Sequence, residues 1–307
     1  MELLNTDIID RDFELERKNS KIVMPKTDKT ALSMTPSRAP KPDQVLETKG
    51  VASIPKLDAE ANIGDSKKPK AEMVSKPAVY RSERLEGWLD PDSHSYKGLV
   101  TRRPFDGKWD KYGEDIDAVL ARFDHRLETS TFVPTNADQV QLSQDLTNAI
   151  NGILQTVQLP EPLSAQICKD ACQLGCTVAS LCPASRGVTV KLEIFGENSC
   201  SRWHMDNFVG RGIISYTGEV GTVFTRDSNV NFWELQHCGC NEHIIHDMQL
   251  VEHVSVGDFF FMKGSKFSHS MSGLIHKSPE KRYHKNGRIV NRLVLKVDVE
   301  EGTDEAS

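Results

Sequence analysis

Residues 201–208, Ser201-Arg202-Trp203-His204-Met205-Asp206-Asn207-Phe208 (SRWHMDNF), lie in the middle of a β-type stretch of the chain. On an extended strand, residues two apart project to one face. His204 and Asp206 then present an imidazole and a carboxylate together, while Trp203 and Met205 pack on the opposite side. The alternative is two polar residues satisfied by ordinary hydrogen bonds. Which reading holds depends on what surrounds the stretch.

The surroundings are β in texture from Gly187 onward. VTVKLEIFG (188–196), GIISYTG (212–218), GTVFTR (221–226) and DFFFMKG (258–264) are rich in branched and aromatic residues. The last strand is expected in RIVNRLVLKVDV (288–299), where Val290, Leu293, Leu295 and Val297 lie among charged residues. Short strands separated by glycine turns, with no helical pattern between them, predict an antiparallel sandwich or barrel.

Upstream the period changes. In EDIDAVLARFDHRL (114–127), Ile116, Val119, Leu120 and Phe123 share one helical face. A second helix is expected across residues 136–158, stopping before Pro160, and a third from Pro162 to Leu181, closed by CPASRG. Order is expected to begin near Val79-Tyr80, with residues 85–113 wrapping the core as irregular structure. Residues 1–78 are rich in Lys, Pro, Ser and acidic residues and poor in aromatics. Such a segment buries too little apolar area to offset chain entropy, so it is expected to be a disordered tail. The chain therefore reads as α+β: a tail (1–78), an irregular and helical region (79–187), and a jelly-roll-like sandwich of double-stranded β-helix type (188–300), with the helices packed on it.

Composition excludes some function classes. A formal charge of −6 gives no basic footprint for nucleic acid. No run of about eighteen apolar residues is present to span a membrane, and the first twenty residues are too acidic for a secretory signal. Seven cysteines, an odd count, favour reduced thiols in a cytoplasmic, reducing compartment. Cys168, Cys172, Cys176 and Cys182 read as a helix face packed on the core.

Two His and one carboxylate on one face of a metal ion form the facial triad of non-haem Fe(II) oxygenases, which leaves positions open for co-substrate and oxygen. A distant strand must supply the third ligand, and His276 in GLIHKSPEKR is the candidate. The order His-x-Asp, long gap, His resembles that of double-stranded β-helix dioxygenases. In that fold a cation on the following strand holds the far carboxylate of 2-oxoglutarate, bidentately if it is Arg. Arg292 fits best and Arg288 is the reserve, while Lys263 and Tyr216 are candidates for a second carboxylate contact. A separate cluster, His237, Cys238, Cys240, His243 and His246, offers nitrogen and thiolate ligands of the kind zinc takes. The alternative there is a solvated polar loop.

Further landmarks are Arg202 before His204 and Asp206, then Tyr216, Gly218, Gly221 and Thr222. Gly257-Asp258, Lys263-Gly264, His276-Lys277-Ser278-Pro279 and Arg292-Leu293 follow. On these residues the segment from Val188 to Asp298 resembles the family of domain of unknown function 1826 (DUF1826). Ser215 stands where the family pattern has Thr, the TGEVGT turn is one residue longer, and Lys277 replaces Arg, which weakens the case for an anion contact at that position. The resemblance implies a role in metal homeostasis, because bacterial members sit in zinc-responsive gene neighbourhoods.

The leading expectation is an Fe(II)/2-oxoglutarate-type oxygenase acting on an undefined small-molecule or protein substrate. His204, Asp206 and His276 would hold the metal, and Arg292 the co-substrate. Two alternatives stand beside it: a non-catalytic zinc-binding or metal-homeostasis protein of the same fold, and a protein-interaction module.

Overall fold

The computed structural model describes residues 76–104, 109–123, 127–135, 138–237, 240–267 and 272–301. The expected tail lies outside the described residues up to residue 75. In chain order the elements are β1 (Val79–Ser82), β2 (Gly98–Thr101), α1 (Gly113–Arg122), β3 (Leu127–Pro134), α2 (Gln139–Val157) and α3 (Glu161–Leu181). They continue with β4 (Gly187–Phe195), β5 (Gly210–Ser215), β6 (Val223–Thr225), α4 (Phe232–His237), α5 (Asn241–Ile244) and β7 (Glu252–His253). The last are β8 (Phe259–Lys263), β9 (Ile275–Lys277) and β10 (Arg292–Glu300).

The helices follow their sequence signals. Asp138 starts α2 by accepting the Gln141 N–H at 2.9 Å, and the helix ends at Gln158, whose φ of 55° is the left-handed stop. The apolar stripes of α2 and α3 (Leu142, Leu146, Ile150; Leu163, Ile167, Leu174) pack into one core with the sheet. Cys182 belongs to that core, and Cys168, Cys172 and Cys176 lie against it.

Seven strands form the large sheet, in the order β1-β2-β8-β5-β10-β4-β3, and β7-β6-β9 form a small one. Within the large sheet only β1 and β2 run parallel; the remaining pairs are antiparallel. The nine-residue ladder from Arg292↔Phe195 to Glu300↔Gly187 sets the register at its centre. Because β side chains alternate, Leu293, Leu295, Val297 and Val299 of β10 face the helices and are buried with them. Arg292, Val294, Lys296 and Asp298 face the other way. That second face meets the small sheet: Phe224 of β6 packs at a tilt against Phe260 of β8 with ring centroids 5.8 Å apart, and Val100, Met262 and Leu274 belong to the same cluster. The result is the expected α+β sandwich, with helices outside the large sheet and the space between the sheets available for a site.

The sequence boundary at 187 is not a boundary in the sheet. β1, β2 and β3 come from the region expected to be irregular and helical, yet they pair with each other, with β8 and with β4. Among the β3 residues, only Leu127 and Val133 are buried, so the edge strand lacks the alternation that marks a strand in sequence.

Candidate metal centre

The SRWHMDNF segment is not a full strand. Its one ladder contact is the antiparallel bridge His204↔His276, in which each backbone N–H donates to the other residue's carbonyl at 3.0 Å. The rest of the segment is held by its neighbours. Trp203, 1% exposed, packs with Ile244 and Ile275, and Met205 lies against the same cluster. Asn241 accepts the Trp203 N–H at 3.0 Å and donates to the Ser201 carbonyl at 2.8 Å. Downstream, Ser265 N–H donates to the Asp206 carbonyl at 2.9 Å. This close crossing requires Gly264, because a Cβ there would lie 1.9 Å from the Phe208 carbonyl oxygen.

The bridge brings the three expected ligands together. One ligand atom from each of His204, Asp206 and His276 lies within 4.8 Å of the others. His204 Nε2 is 3.5 Å from Asp206 Oδ1, and His276 Nε2 is 3.4 Å from Oδ2. The other ring nitrogens are committed: His204 Nδ1 to the Arg202 carbonyl at 2.8 Å, His276 Nδ1 to the Leu274 carbonyl at 3.0 Å. A carbonyl only accepts, so each Nδ1 carries the proton in the neutral ring and each Nε2 keeps its lone pair. This is the arrangement that orients imidazoles for metal ligation. The hydrogen bond to Asp206 raises the pKa of His204 against the effect of burial. Burial pushes the Asp206 carboxyl up, but hydrogen bonds that both rings donate through Nε2 when protonated, and the nearby Arg211 charge, outweigh it and hold the group well below the usual carboxylate range.

A cavity of about 160 Å³ between the sheets is lined by His204, His276, Arg211, Arg292 and Lys296, among others. Arg292 comes from the first position of β10, on the face turned away from the helices. Burial lowers its pKa to about 10. Its neighbours are Ser199 Oγ, 3.3 Å from Nη2, and the Phe195 ring, 5.8 Å away; it forms no ion pair with a carboxylate among the described residues. The turn after β5 passes close to this side chain at Gly218, whose φ is 100° and where a Cβ would lie 3.0 Å from the Arg292 Cδ. Lys296 in contrast is neutralised by Glu193 at 2.6 Å.

The remaining expected site residues fall elsewhere. Tyr216 and Lys263 share strand parity with Ile214 and Phe261, so they face the helices across the sheet from the triad. The Tyr216 hydroxyl donates to Asp170 of α3 at 2.8 Å, and burial raises its pKa well above the ordinary value. Lys263 donates to the His94 carbonyl at 2.8 Å. Arg288 is exposed and pairs with Asp117 of α1 at 2.9 Å. Strand parity corrects the expectation for the first two, and the Asp117 pair for the third. His237 stacks on Trp233 at 4.8 Å and Cys240 is exposed. Cys238 lies outside the described residues. Among the described residues, His237, Cys240, His243 and His246 are not gathered into a ligand group, and His204, Asp206 and His276 are the one group of this kind.

Arg211 escaped the sequence reading although it contacts Asp206 Oδ2 through Nη1 at 3.4 Å. Its signal was an arginine between two glycines (Gly210-Arg211-Gly212) at the head of a buried strand.

Comparison with solved structures gives distant likenesses. Dioxygenase for auxin oxidation 1 from Arabidopsis thaliana, in its 2-oxoglutarate complex, is 8% identical over 75% of this chain and 94% of its own, with a TM-score of 0.44. A full-length Neurospora crassa protein, in complex with alpha-KG and 5-formyluracil, is 7% identical over 74% and 88%, with a TM-score of 0.36. A prolyl-4-hydroxylase from Pseudomonas putida is 9% identical over 71% and 97%, with a TM-score of 0.32. No curated protein matches the chain. Residues 100–298 match the family described as "Protein of unknown function (DUF1826)", and the chain belongs to that family.

Proposed function

We propose that this protein is an Fe(II)/2-oxoglutarate-type oxygenase of an undefined substrate. In this reading His204, Asp206 and His276 hold the iron, and Arg292 receives the far carboxylate of 2-oxoglutarate. The observation that carries it is one cavity lined by both His204 and His276, whose rings converge with Asp206 and have each Nδ1 pinned to a carbonyl, and by Arg292, a part-buried guanidinium paired with no carboxylate among the described residues. Two imidazoles and one carboxylate are the donor set of a facial triad, which leaves coordination positions open. Iron bound there would supply activation of dioxygen. The chain's own contribution is to hold the ligands, to keep the site between two apolar sheets, and to anchor a dicarboxylate by charge. A buried guanidinium gains most from an anion that also accepts hydrogen bonds in its planar fork.

The test is full-length protein loaded anaerobically with Fe(II), then assayed for 2-oxoglutarate binding and for succinate formed without added substrate. One metal per chain, lost in His204→Ala and His276→Ala, is expected. Succinate formation should fall in Arg292→Ala. Full metal occupancy in both histidine variants would overturn the reading. Tight zinc held by the triad, with no 2-oxoglutarate binding, would replace it with the non-catalytic zinc-binding alternative.

A further inference from the structure

We infer that Arg211 is a positioning residue of the metal centre: it holds the Oδ2 oxygen of Asp206, so that the carboxylate offers Oδ1 to a metal ion. The inference rests on the metal reading above and concerns a residue that never touches the metal itself.

Three features aim this guanidinium. By register Arg211 lies opposite Asp298 on β10, and both Nε and Nη2 donate to the Asp298 carboxylate, the latter at 3.0 Å. Lys191 of β4 grips the same carboxylate at 2.9 Å, so the fork is fixed to two strands. Its carbon centre lies 4.4 Å from the middle of the Phe208 ring, which bounds it on one side. Nη1 is left, directed at Asp206 Oδ2 at 3.4 Å. The ordered chain Lys191–Asp298–Arg211–Asp206 alternates in sign, and it ends on a ligand.

Its place in the fold argues for a role beyond packing. Elsewhere the space between the sheets is filled by Val100, Phe224, Phe260, Met262 and Leu274. A part-buried ionic chain costs some desolvation that apolar side chains of similar volume avoid, and it is weak evidence for stability. Here it does what an apolar side chain cannot. A carboxylate with two free oxygens can chelate a metal through both. One oxygen held by a fixed cation leaves the other to bind alone, which keeps one more coordination position open for a co-substrate. Hydrogen-bonded partners of metal-ligating groups are worth about 10–100-fold in metal affinity.

The experiment measures Co(II) binding to the full chain by chelator competition, together with the visible absorption of the bound ion. The proteins are wild type, Arg211→Met, Arg211→Lys and Asp298→Asn, with Arg81→Met as a surface control and apo melting curves for all. Arg211→Met is expected to weaken Co(II) by about 10–100-fold and to change the band shape, because the carboxylate becomes free to bind through both oxygens. Arg211→Lys should recover part of the affinity, and Arg81→Met should match wild type. If Arg211→Met does not fold, Asp298→Asn frees the fork and should produce a smaller change of the same kind. Wild-type affinity and spectrum in every folded variant of Arg211 and Asp298 would overturn the inference while leaving the triad standing. Co(II) binding unaffected by His204→Ala and His276→Ala would overturn the triad and this inference with it.

Discussion

His204 and His276 are joined by reciprocal backbone hydrogen bonds of 3.0 Å, and this single bridge sets their rings 4.4 Å apart. They stand seventy-two positions apart in the chain, so the pairing exists only in the folded state. Binding of a metal ion by both rings would therefore be linked to folding.

A metal ion at 100 times its Kd should stabilise the fold by about 2.7 kcal/mol, which for a body of this size is a rise of about 5–10 °C in Tm. Melting curves with Fe(II), Co(II) or Zn(II), and again with excess chelator, read this directly. In the double variant His204→Ala/His276→Ala the curve should no longer respond to metal. A wild type whose Tm ignores all three ions would remove the triad as a metal site.

Arg292 gives a second prediction. Truncating one partner of a buried charged pair costs about 2–5 kcal/mol, so Arg292→Ala should raise the Kd or KM for 2-oxoglutarate by roughly 30–4000-fold. Arg292→Lys should lie between, because an ammonium keeps the charge but loses the bidentate fork. Calorimetric titration of the metal-loaded protein with 2-oxoglutarate measures both. Equal affinity in Arg292→Ala would mean that the anion is held elsewhere in the cavity, with Lys296 the next residue to test.

Gly264 allows the third. A Cβ at this position would lie 1.9 Å from the Phe208 carbonyl and 3.2 Å from that of Asp206. Backbone cannot yield as a flexible side chain does, so Gly264→Ala must push residues 206–208 outward. Overpacking of this kind costs about 1–3 kcal/mol, readable in urea unfolding. The displaced segment carries Asp206, so metal affinity should fall in the same variant, whereas Gly113→Ala, where a Cβ meets nothing within 4 Å, should leave metal affinity unchanged.

What could be read from sequence follows burial. β4, β5, β8 and β10 lie at the middle of the large sheet, and their branched and aromatic residues announced them. β3 is an edge with two buried residues, and the parallel pair β1–β2 depends on β8, more than 150 residues away; no local pattern encodes either. The triad was legible because its chain order and its two-residue spacing are sequence properties. Tyr216 and Lys263 were misdirected because a strand's period says which residues share a face, but not which face meets the helices. Arg211 needed the Asp298 register, which is a property of the folded sheet.

The misdirected Lys263 supplies the last prediction. Its ammonium is buried on the helix face, with the His94 carbonyl at 2.8 Å and the Phe267 ring at 4.6 Å, and burial lowers its pKa from 10.5 to about 8. The unfolded chain holds this proton up to its ordinary range, so between pH 8 and 10.5 it binds more protons at this site than the folded protein does. Stability contributed by this group therefore rises with pH across that window, and the cost of burying the charge is present in full below pH 8. With solvent screening allowed for, that cost is on the order of 1–2 kcal/mol. Lys263→Met should be more stable than wild type at pH 7, and the gap should narrow by about this amount as the pH rises to 10. Urea unfolding of both proteins at several pH values isolates the group, because other titrations cancel in the difference. A gap that stays constant from pH 7 to pH 10 would mean that Lys263 is ordinary in its proton affinity. A gap that widens would mean that the His94 carbonyl and the Phe267 ring hold the charge more strongly than burial disfavours it.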